Sequence, residues 1–447
     1  MTAARKLILV TSLVLLAGVT IFYLRRPSGN TPPEGSADPA LELLTILGDV
    51  ANRPRDLPGR WRKAKNGAAP GAVSGEESEE LSEMMALPYL QGYKEAPARD
   101  NITRHDTTRA YEGVNLYTSG HAPEAFLMDM DGTVLHRWRM NIDDVWPEVP
   151  HTIHSTFWRR VHAYPNGDLL AIWEGIGIVK LDRFSRLLWA YRGGCHHEAF
   201  VTAEGDIYVL ARRARIISRI NPVRPVLEDV VLILDAQGTR VAEYSLLESM
   251  ENSAYRHLMR GMRRRGDLFH TNSLYVFDGS MSDLSPHFKK GNVLVSFLKL
   301  DTIAIADLQS KQVVWAKSGG LTRMWRRQHD PVLLDNGHFL LFDNLGRGGT
   351  SKVIEFDPNG MKTVWEFAGA DGDTLYSMTC GTTDRLPNGN TLITESDNGR
   401  ALEVTPGREV VWEFYNPHRA GENGGLIATL FDLTRFDKGY FAWLESK

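Results

Sequence analysis

The sequence predicts an all-β fold: a six-bladed β-propeller of four-stranded antiparallel blades, preceded by an N-terminal transmembrane helix. Three observations support the propeller. Two kinds of β-hairpin alternate along the chain, each kind occurs six times, and the two ends of the chain carry complementary halves of the pattern. The 447 residues are 43% hydrophobic and 24% charged, which is ordinary globular composition with ample material for a large core.

One kind of hairpin has glycine at its turn. Its six copies are "YPNGDLLAIW", "TAEGDIYVLA", "KKGNVLVSF", "LDNGHFLLF", "LPNGNTLIT" and "FDKGYFAWL". Asn-Gly and similar pairs supply the positive φ angles that a tight hairpin needs, and β-branched and aromatic residues populate the flanking strands. Each copy therefore predicts two antiparallel strands.

The other kind of hairpin is a turn between two β-rich runs, the second of which ends in an aromatic residue. Its six copies are "DMDGTVLHRW", "LDRFSRLLWAY", "LDAQGTRVAEY", "ADLQSKQVVW", "FDPNGMKTVWEF" and "VTPGREVVWEF". Two hairpins give the four strands of a propeller blade, and six units of about 50 residues give six blades.

The chain ends predict how the ring closes. The first intact hairpin, at 111–138, is of the aromatic-ending kind, whereas the last, at 426–445, is of the glycine kind. We therefore expect the N- and C-terminal hairpins to join in one blade, which leaves no unpaired edge. A β-sandwich or an open β-solenoid is the alternative, but matched ends favour the propeller. Blades are numbered from the first complete unit, so the closing blade is blade 6.

The N-terminus predicts a membrane anchor at residues 1–26. Arg5 and Lys6 precede an uncharged, mostly apolar run from Leu7 to Leu24, whose length is near the lower limit for spanning a bilayer. A cleavable signal peptide would start in the same way, but no small-x-small cleavage site follows. Positive charges flank both ends of the run, so they do not decide its orientation.

Residues 27–105 are predicted to be a linker or stalk, because they are rich in Pro, Gly, Ala and charge. We expect this segment to be partly disordered, with short helices at 40–51 and 78–90. The propeller domain is then 106–447. A formal net charge of −4 gives no sign of a nucleic-acid partner.

Three histidines are predicted to line the channel. The first strand of each blade lines the channel of a propeller, and His197, His270 and His329 stand at or near the start of that strand in blades 2, 3 and 4. Propeller packing does not require titratable side chains there. The imidazoles could bind zinc, copper or iron, or they could form a polar pocket for an anion.

Arginines in the loops that lead into these strands favour the anion. These arginines are Arg159, Arg160, Arg192, Arg263, Arg264, Arg265, Arg323, Arg326, Arg327 and Arg419. The planar guanidinium suits sulfate, phosphate or carboxylate, and it repels metal cations. We therefore expect no metal and no cofactor. Cys195 and Cys380 begin strands of opposite blades, which is too far apart for a disulfide.

The chain resembles the bacterial arylsulfotransferase family over about residues 111–445. The resemblance is carried by "MDMDGTVLHRW", "DLFHTNSLYV", "QHDPVLLDNGHFLLFDNLGR" and "RLPNGNTLITESDNGRALEVTPGREVVWEFYNP". It implies a six-bladed propeller with the site at the channel, and transfer of a sulfuryl group from a phenolic ester to another phenol without a nucleotide donor. One histidine of the family is transiently sulfated.

The same resemblance implies catalytic residues at three positions. They are His270 in the His-x-Asn-Ser motif, His329 in the Gln-His motif, and Arg347 after the Phe-Asp-Asn motif. We expect the substrate to be bound by His197, Arg327, Asn272 and Asn344.

The sequence departs from the family pattern in blade 5. The family's sulfate-accepting histidine should come from that blade, yet there is no histidine from Thr374 to Pro417. Cys380, Thr382, Thr383, Glu395 and Asp397 occupy the region. Either His197, His270 or His329 takes the role, or the protein binds its ligand without turnover.

These observations leave two main hypotheses for function. The first is a membrane-anchored arylsulfotransferase-like enzyme on the periplasmic or extracytoplasmic side, where the family usually works, with small anionic aryl sulfates and phenols as substrates. The second is a non-catalytic anchored propeller that binds anionic or aryl ligands or acts as a scaffold. A quinone-cofactor propeller, suggested by "ADLQSKQVVWAKSG", would need eight blades and calcium-binding carboxylates. The oligomeric state stays open.

Overall fold

The computed structural model describes residues 60–62, 96–346, 349–370 and 372–444. All of them belong to one compact unit, 54–447. The predicted anchor, Leu7 to Leu24, lies outside the described residues, as does most of the predicted linker. Among the residues that are described, no helix has the length and apolar character needed to cross a membrane.

Within the described part of the chain, six antiparallel sheets follow one another as blades. The innermost strands of blades 1 to 6 are Arg160–Ala163, Cys195–Val201, Thr271–Val276, His329–Leu333, Thr382–Arg385 and Leu430–Phe436. The second strands are Leu169–Trp173, Ile207–Arg215, Val293–Phe297, Phe339–Asp343, Thr391–Glu395 and Val114–Ser119. The third strands are Gly177–Leu181, Val226–Leu234, Thr302–Asp307, Lys352–Asp357, Arg400–Val404 and Glu124–Met128. The fourth strands are Leu187–Arg192, Arg240–Ser245, Gln312–Ser318, Lys362–Phe367, Val410–Tyr415 and Val134–Arg139. The predicted six-bladed propeller is confirmed.

The other elements within the described ranges are short. The additional strands are Trp61–Arg62, Asn101–His105, Gly266–Asp267, Gly369–Ala370, Asp373–Thr374, Arg419–Ala420 and Leu426–Ala428. The α-helices are Leu246–Glu251 and Gly319–Thr322. The 3-10 turns are Ile142–Asp144, Ile153–Ser155, Arg256–Met259, Pro286–Phe288, Leu298–Leu300, Ser396–Asn398, Glu422–Gly424 and Ala442–Leu444.

The hydrophobic core is divided into wedges, each between two neighbouring blades. Between blades 4 and 5, for example, Phe342 and Val353 pack with Ile393 and Leu402, and all four are at most 1% exposed. The same arrangement recurs around the ring. Strands with both faces buried read as nearly continuous apolar runs, which is why the sequence pattern is so regular. Each blade is therefore held in place by both of its neighbours.

Tryptophans of the outer strands also join the blades. The indole N–H of Trp189 donates to the carbonyl of Ala236 (3.0 Å), and that of Trp365 donates to the carbonyl of Pro406 (3.0 Å). Trp412 makes the same kind of bond to Met130 (2.9 Å). In each case the acceptor lies in the turn between the third and fourth strands of the next blade. The recurring aromatic residue thus has a repeated structural role.

Blade 6 closes the ring with strands from both ends of the chain. Leu430–Phe436 pairs antiparallel with Val114–Ser119, as the complementary ends predicted. The C-terminal contribution is one strand, however, and not the predicted hairpin. The predicted second strand of this hairpin would have to pair with Leu430–Phe436 on the side that Val114–Ser119 already occupies. The residues after Leu430–Phe436 therefore form the turn Ala442–Leu444 instead. Phe441 is buried there against the blades 6 and 1 core.

Two pieces of the predicted linker belong to the folded unit. Asn101–His105 is a fifth, outermost strand of blade 5, paired with Val410–Tyr415. Trp61–Arg62 pairs with Leu426–Ala428 in a small separate sheet. Neither strand is followed by a glycine hairpin, so the repeat pattern did not predict them.

Candidate functional site

Left-handed backbone marks the start of the innermost strand in four consecutive blades. His197 (φ 53°), His270 (φ 52°), Asp330 (φ 53°) and Cys380 (φ 60°) all adopt it. In blades 2, 3 and 4 the strand register also shifts at this point, as in a β-bulge. Non-glycine residues pay about 1–3 kcal/mol for such backbone, and bulges redirect side chains near functional sites. The mouth of the channel is therefore the candidate site.

His197 and His270 come together at this mouth. Their ring centroids are 5.0 Å apart with the rings nearly perpendicular, at 82°. His197 is only 6% exposed, whereas 31% of the His270 side-chain surface is accessible. His270 is thus the more open of the two imidazoles.

Asp267 orients His270. The Asp267 Oδ2 atom lies 2.6 Å from Nδ1 of His270, and Asp267 Oδ1 accepts the backbone N–H of the same histidine (2.9 Å). Burial acts to raise the pKa of Asp267, but the bond from His270 and the charge of Arg212 outweigh it and hold the pKa below its usual range. An ionised carboxylate can only accept, so Nδ1 carries the proton. A ring with its proton on Nδ1 has its lone pair on Nε2, and none of the described residues hydrogen-bonds to that atom.

A buried charge network supports this pair. Arg212 places Nη2 3.8 Å from Asp267 Oδ2 and Nε 3.5 Å from Asp229 Oδ1. His196 Nε2 is 3.4 Å from the same Asp229 oxygen. Asp229 Oδ2 accepts from both the backbone N–H (2.7 Å) and the hydroxyl (2.8 Å) of Thr271, the residue after His270. The backbone on either side of His270 is therefore tied to an aspartate.

His197 is held between a histidine and a carboxylate. Its Nδ1 is 2.9 Å from Nδ1 of His196 and 3.2 Å from Oε1 of Glu174. Burial, together with the nearby Arg159 and His270, lowers the pKa of His197 well below its usual value. The pKa of Glu174 falls to about 2 because the charges of Arg159 and Arg212 outweigh its burial. His197 is therefore a neutral neighbour of His270.

His329 uses both of its ring nitrogens. Its Nδ1 donates to Oδ1 of Asn344 (2.7 Å), and its Nε2 accepts the backbone N–H of Cys380 (3.3 Å). The amide of Asn344 is itself oriented, because its NH₂ donates to the carbonyls of Ser377 (2.8 Å) and Cys380 (2.7 Å). Burial lowers the pKa of His329 to about 3, assisted by Arg159 and His270. His329 is a fixed neutral ring.

This neutrality predicts a pH-dependent stability. The folded protein keeps His329 neutral down to a pKa of about 3, whereas an unfolded histidine titrates near about 6.5. The contribution of the buried neutral His329 to stability is therefore complete above about pH 6.5, and it is lost as the pH falls below that pKa of the unfolded chain. Between about pH 7.5 and about pH 5, His329→Gln should lose about 2 kcal/mol less stability than the wild type.

Urea unfolding of both proteins at the two pH values measures this difference. Leu340→Ala, a non-titrating core change in the same blade, should cost the same free energy at both. A gap between wild type and His329→Gln that does not change with pH would contradict a neutral His329.

The remaining predicted residues are placed differently from one another. Asn272 is buried and donates from Nδ2 to the carbonyl of Gln328 (2.9 Å), which ties blade 3 to blade 4. Arg327 is exposed at the rim, and its backbone N–H donates to Asp301 Oδ1 (2.7 Å). Arg347 lies outside the described residues. Of the predicted residues, His197, His270, His329 and Asn344 thus have side chains that belong to the group of histidines at the channel mouth.

Carboxylates of several blades surround Arg160. Its Nε donates to Glu198 Oε1 (2.6 Å), and its Nη2 bonds the other oxygen of Glu198. Its Nη1 is 2.8 Å from Asp432, and its Nη2 is 3.5 Å from Asp330. Burial nevertheless raises the pKa of Glu198 to about 7 and that of Asp330 to about 6. Arg160 is therefore neutralised and unsuited to binding an anion.

Sequence reasoning missed Glu174, Asp229, Asp267 and Arg212. Asp267 stands three residues before His270, and Asp229 with Glu228 interrupts the apolar strand "VLEDVVLIL". A charged pair in such a strand is a signal, since buried charges are rare unless they are paired. Among the described residues, no three His, Cys, Asp or Glu side chains are arranged to hold a metal ion. Cys195 and Cys380 are buried and free.

Comparisons with solved structures find matches at low similarity. A protein of unknown function from Bacteroides caccae is 13% identical, with a TM-score of 0.47, and the match covers 73% of this chain and 99% of that one. A streptogramin B lyase is 12% identical, with a TM-score of 0.41 and coverage of 77% and 97%. The Dos1 propeller is 8% identical, with a TM-score of 0.38 and coverage of 75% and 84%.

The sequence comparisons are more specific. No curated protein sequence matches the chain significantly. The arylsulfotransferase (ASST) family profile matches residues 160–417, which is more than half of the chain and includes the histidines of blades 2, 3 and 4. The resemblance that the sequence motifs indicated is thereby confirmed, and the protein belongs to the arylsulfotransferase (ASST) family.

Proposed function

We propose that the protein transfers a sulfuryl group from an aryl sulfate ester to a phenol, with His270 as the nucleophile and no nucleotide donor. The observation that carries this proposal is the 2.6 Å contact between Asp267 and Nδ1 of His270. This contact leaves the Nε2 lone pair available on His270, which is the most accessible of the three imidazoles of His197, His270 and His329. His329 is a poorer nucleophile, because its Nε2 already accepts a hydrogen bond from Cys380.

The proposed reaction has two displacements. In the first, Nε2 of His270 forms a bond to sulfur as the bond from sulfur to the aryl oxygen breaks, and the phenolate leaves with the electron pair. Asp267 stabilises the positive charge that the ring acquires. In the second, the acceptor phenol loses its proton to solvent, and its oxygen takes the sulfuryl group from Nε2. Splitting one difficult transfer into two steps is the usual advantage of a covalent intermediate.

Cationic groups around His270 support the electrostatics of this reaction. Arg212 lies 3.4 Å from Nδ1 of His270, and Lys299 lies 3.5 Å from Asp267. A sulfate ester resists attack because its oxygens are negative, so fixed positive charge lowers the barrier. Exposed arginines, including Arg260 and Arg264, also line an open groove of about 870 Å³. They would attract anionic substrates.

We propose in addition that Leu7 to Leu24 anchors the protein in a membrane, with the propeller on the periplasmic or extracytoplasmic side. The apolar run and its flanking charges support the anchor. The side of the membrane is inferred from the family alone.

The test of the proposed function uses the purified full-length protein, 4-nitrophenyl sulfate as donor and a phenol as acceptor. We expect acceptor-dependent release of 4-nitrophenol. With donor alone, intact mass spectrometry should show the gain of one SO₃ group. Absence of phenol release with every phenol acceptor tried would contradict the proposal.

A non-catalytic ligand-binding role is the second candidate, and one observation favours it. Cys380 is one of the residues in the blade 5 region where the family resemblance implies a histidine, and its backbone N–H occupies Nε2 of His329. Saturable binding of 4-nitrophenyl sulfate without release of 4-nitrophenol is the result that distinguishes this role.

A further inference from the structure

Arg60 reaches the mouth of the channel from a segment that the sequence assigned to the linker. Its backbone N–H donates to the carbonyl of Gly120 (2.5 Å), and its carbonyl accepts the N–H of Thr429 (3.0 Å). The next residues, Trp61–Arg62, continue as a strand beside Leu426–Ala428. Arg60 is thus fixed directly above blade 6, whose innermost strand begins at Leu430.

Gly120 makes this close approach possible. A Cβ atom at this position would lie 2.6 Å from the carbonyl oxygen of Arg60 and 3.0 Å from its Cβ atom. Contacts this short are excluded, so any larger residue at position 120 would push the Arg60 backbone away. Position 120 therefore controls where Arg60 sits.

The guanidinium of Arg60 points to blade 5. Its Nη2 donates to the hydroxyl of Thr379 (2.8 Å), and its Nη1 lies 3.7 Å from the sulfur of Cys380. The Thr379 hydroxyl in turn donates to Asp397 (3.0 Å), so that its lone pair faces Arg60. Cys380 also contacts His329 through its backbone N–H. Arg60 thus stands in the sector of the ring where the family resemblance implies a histidine and this chain has none.

The guanidinium groups of Arg60 and Arg159 both lie over the aromatic ring of Phe431. The guanidinium carbon of Arg60 is 5.3 Å from the centroid of Phe431, and that of Arg159 is 5.0 Å from it. Arg159 pairs with Glu174 at 3.3 Å. The partners of Arg60 among the described residues are neutral: a hydroxyl, a thiol and an aromatic face. Its charge is therefore less compensated than that of Arg159.

Arg60 has the capacity to bind an anion. It is partly exposed, and a guanidinium carries five N–H donors, of which the contacts to Thr379 and Cys380 engage two. Charge-assisted bonds from a planar guanidinium to sulfate oxygens are strong and directional. The position thus combines fixed geometry, positive charge and unused donors.

We propose that Arg60 is a substrate-binding residue that holds the sulfate group of the donor ester in the blade 5 sector of the mouth. This inference rests on the proposed function, since it names a further residue for the same site. Arg60 binds the anion, and His270 attacks it. The segment before the propeller thus completes the site.

Kinetics of Arg60→Gln in the full-length protein test the proposal. We expect the KM for 4-nitrophenyl sulfate to rise about 10- to 100-fold, as for the loss of one charged hydrogen bond, with kcat changed much less. The KM for the neutral phenol acceptor should not change. Arg60→Lys, which keeps the charge, should recover part of the donor affinity.

Two further variants separate binding from folding. Gly120→Ala should raise the donor KM while leaving the guanidinium itself intact, because it displaces the Arg60 backbone. Arg419→Gln is the matched control. Arg419 lies in the same small sheet but donates to the carbonyls of Pro97 and Arg99, so its loss should leave the donor KM unchanged.

The outcomes distinguish this inference from the proposed function. An active wild type with an unchanged donor KM in Arg60→Gln overturns the role of Arg60 alone. If the wild type releases no phenol, calorimetric titration with 4-nitrophenyl sulfate decides: weaker binding by Arg60→Gln supports the inference without the enzyme, and equal binding overturns it. If the wild type neither binds nor turns over the ester, both the proposed function and the role of Arg60 are contradicted.

Discussion

Replacing His270 with alanine should lower the rate of aryl sulfate turnover by at least about 10⁴-fold, because the covalent route loses its nucleophile. Of His197, His270 and His329, only His270 is both oriented by a carboxylate and substantially exposed, so its Nε2 is the candidate nucleophile. Release of 4-nitrophenol measures the rate. Intact mass spectrometry after donor alone should show no SO₃ gain in this variant.

His338→Ala is the matched control for this prediction. His338 lies in the turn between the first two strands of blade 4, at the end of the strand opposite His329, and its Nδ1 is 2.8 Å from Oε1 of Glu355. Its loss should therefore leave the rate unchanged. Asp267→Asn should retain the fold and lower the rate by about 10²- to 10⁴-fold, as expected when a histidine loses the carboxylate that selects its tautomer. Full SO₃ gain by His270→Ala would place the nucleophile elsewhere.

Replacing Arg160 with methionine should destabilise the fold by about 3–5 kcal/mol at about pH 8, the usual cost of leaving buried charges without their partner. Arg160 faces Glu198, Asp330 and Asp432, and its side chain is only 15% exposed. The pKa of Arg160 is raised well above its usual value because these three carboxylates outweigh its burial. Urea unfolding measures the loss.

The pH dependence of this loss has a definite sign. In the wild type, burial already raises the pKa of Glu198 to about 7 and that of Asp330 to about 6. Without Arg160 these values rise further, so the carboxyl groups are protonated at little cost at about pH 5. At about pH 8 the folded variant must either keep repelling charges buried or bind protons that the unfolded chain does not bind. The destabilisation should therefore be smaller at the lower pH. An equal loss at both values would contradict the charged cluster.

A second arginine of blade 1 serves as the control for Arg160. Arg192 pairs with Glu148 at 2.5 Å, but 37% of its side chain is exposed. Exposed ion pairs contribute about 0–1 kcal/mol, so Arg192→Met should change the free energy of unfolding by less than about 1 kcal/mol. In the double variant Arg160→Met with Glu198→Gln, part of the lost stability should return.

The propeller itself could be predicted because its signals are local. A turn between two β-rich runs is a property of about ten neighbouring residues, and two kinds of such turn alternating along the chain leave few other architectures. The joining of the chain ends in blade 6 was predicted from the same pattern. The pattern did not predict the single C-terminal strand or the outer strand Asn101–His105, because an edge strand needs only one paired side and no hairpin of its own.

The site was only partly predictable. His197, His270 and His329 could be placed at one level, since all three stand near the start of an innermost strand. Their differing chemistry could not be read from the sequence. Asp267 leaves Nε2 of His270 open, whereas Asn344 and Cys380 occupy both nitrogens of His329. Asn344 follows the second strand of the same hairpin, whereas Cys380 lies in the next blade. The spacing of the motif therefore does not reveal that the two together occupy both ring nitrogens of His329.

The sequence by itself determined that this protein is an all-β ring of six blades, that three histidines and several arginines lie near one mouth of it, and that blade 5 lacks a histidine. Only the tertiary structure decided which arginines are available to an anion. Arg159 and Arg160 are neighbours in sequence, yet Arg160 is neutralised by carboxylates of three other blades. Arg60, outside every repeat, stands beside Cys380. Turn and strand preferences are local, but the charge that a side chain presents depends on its spatial neighbours, which the closed ring brings together from distant blades.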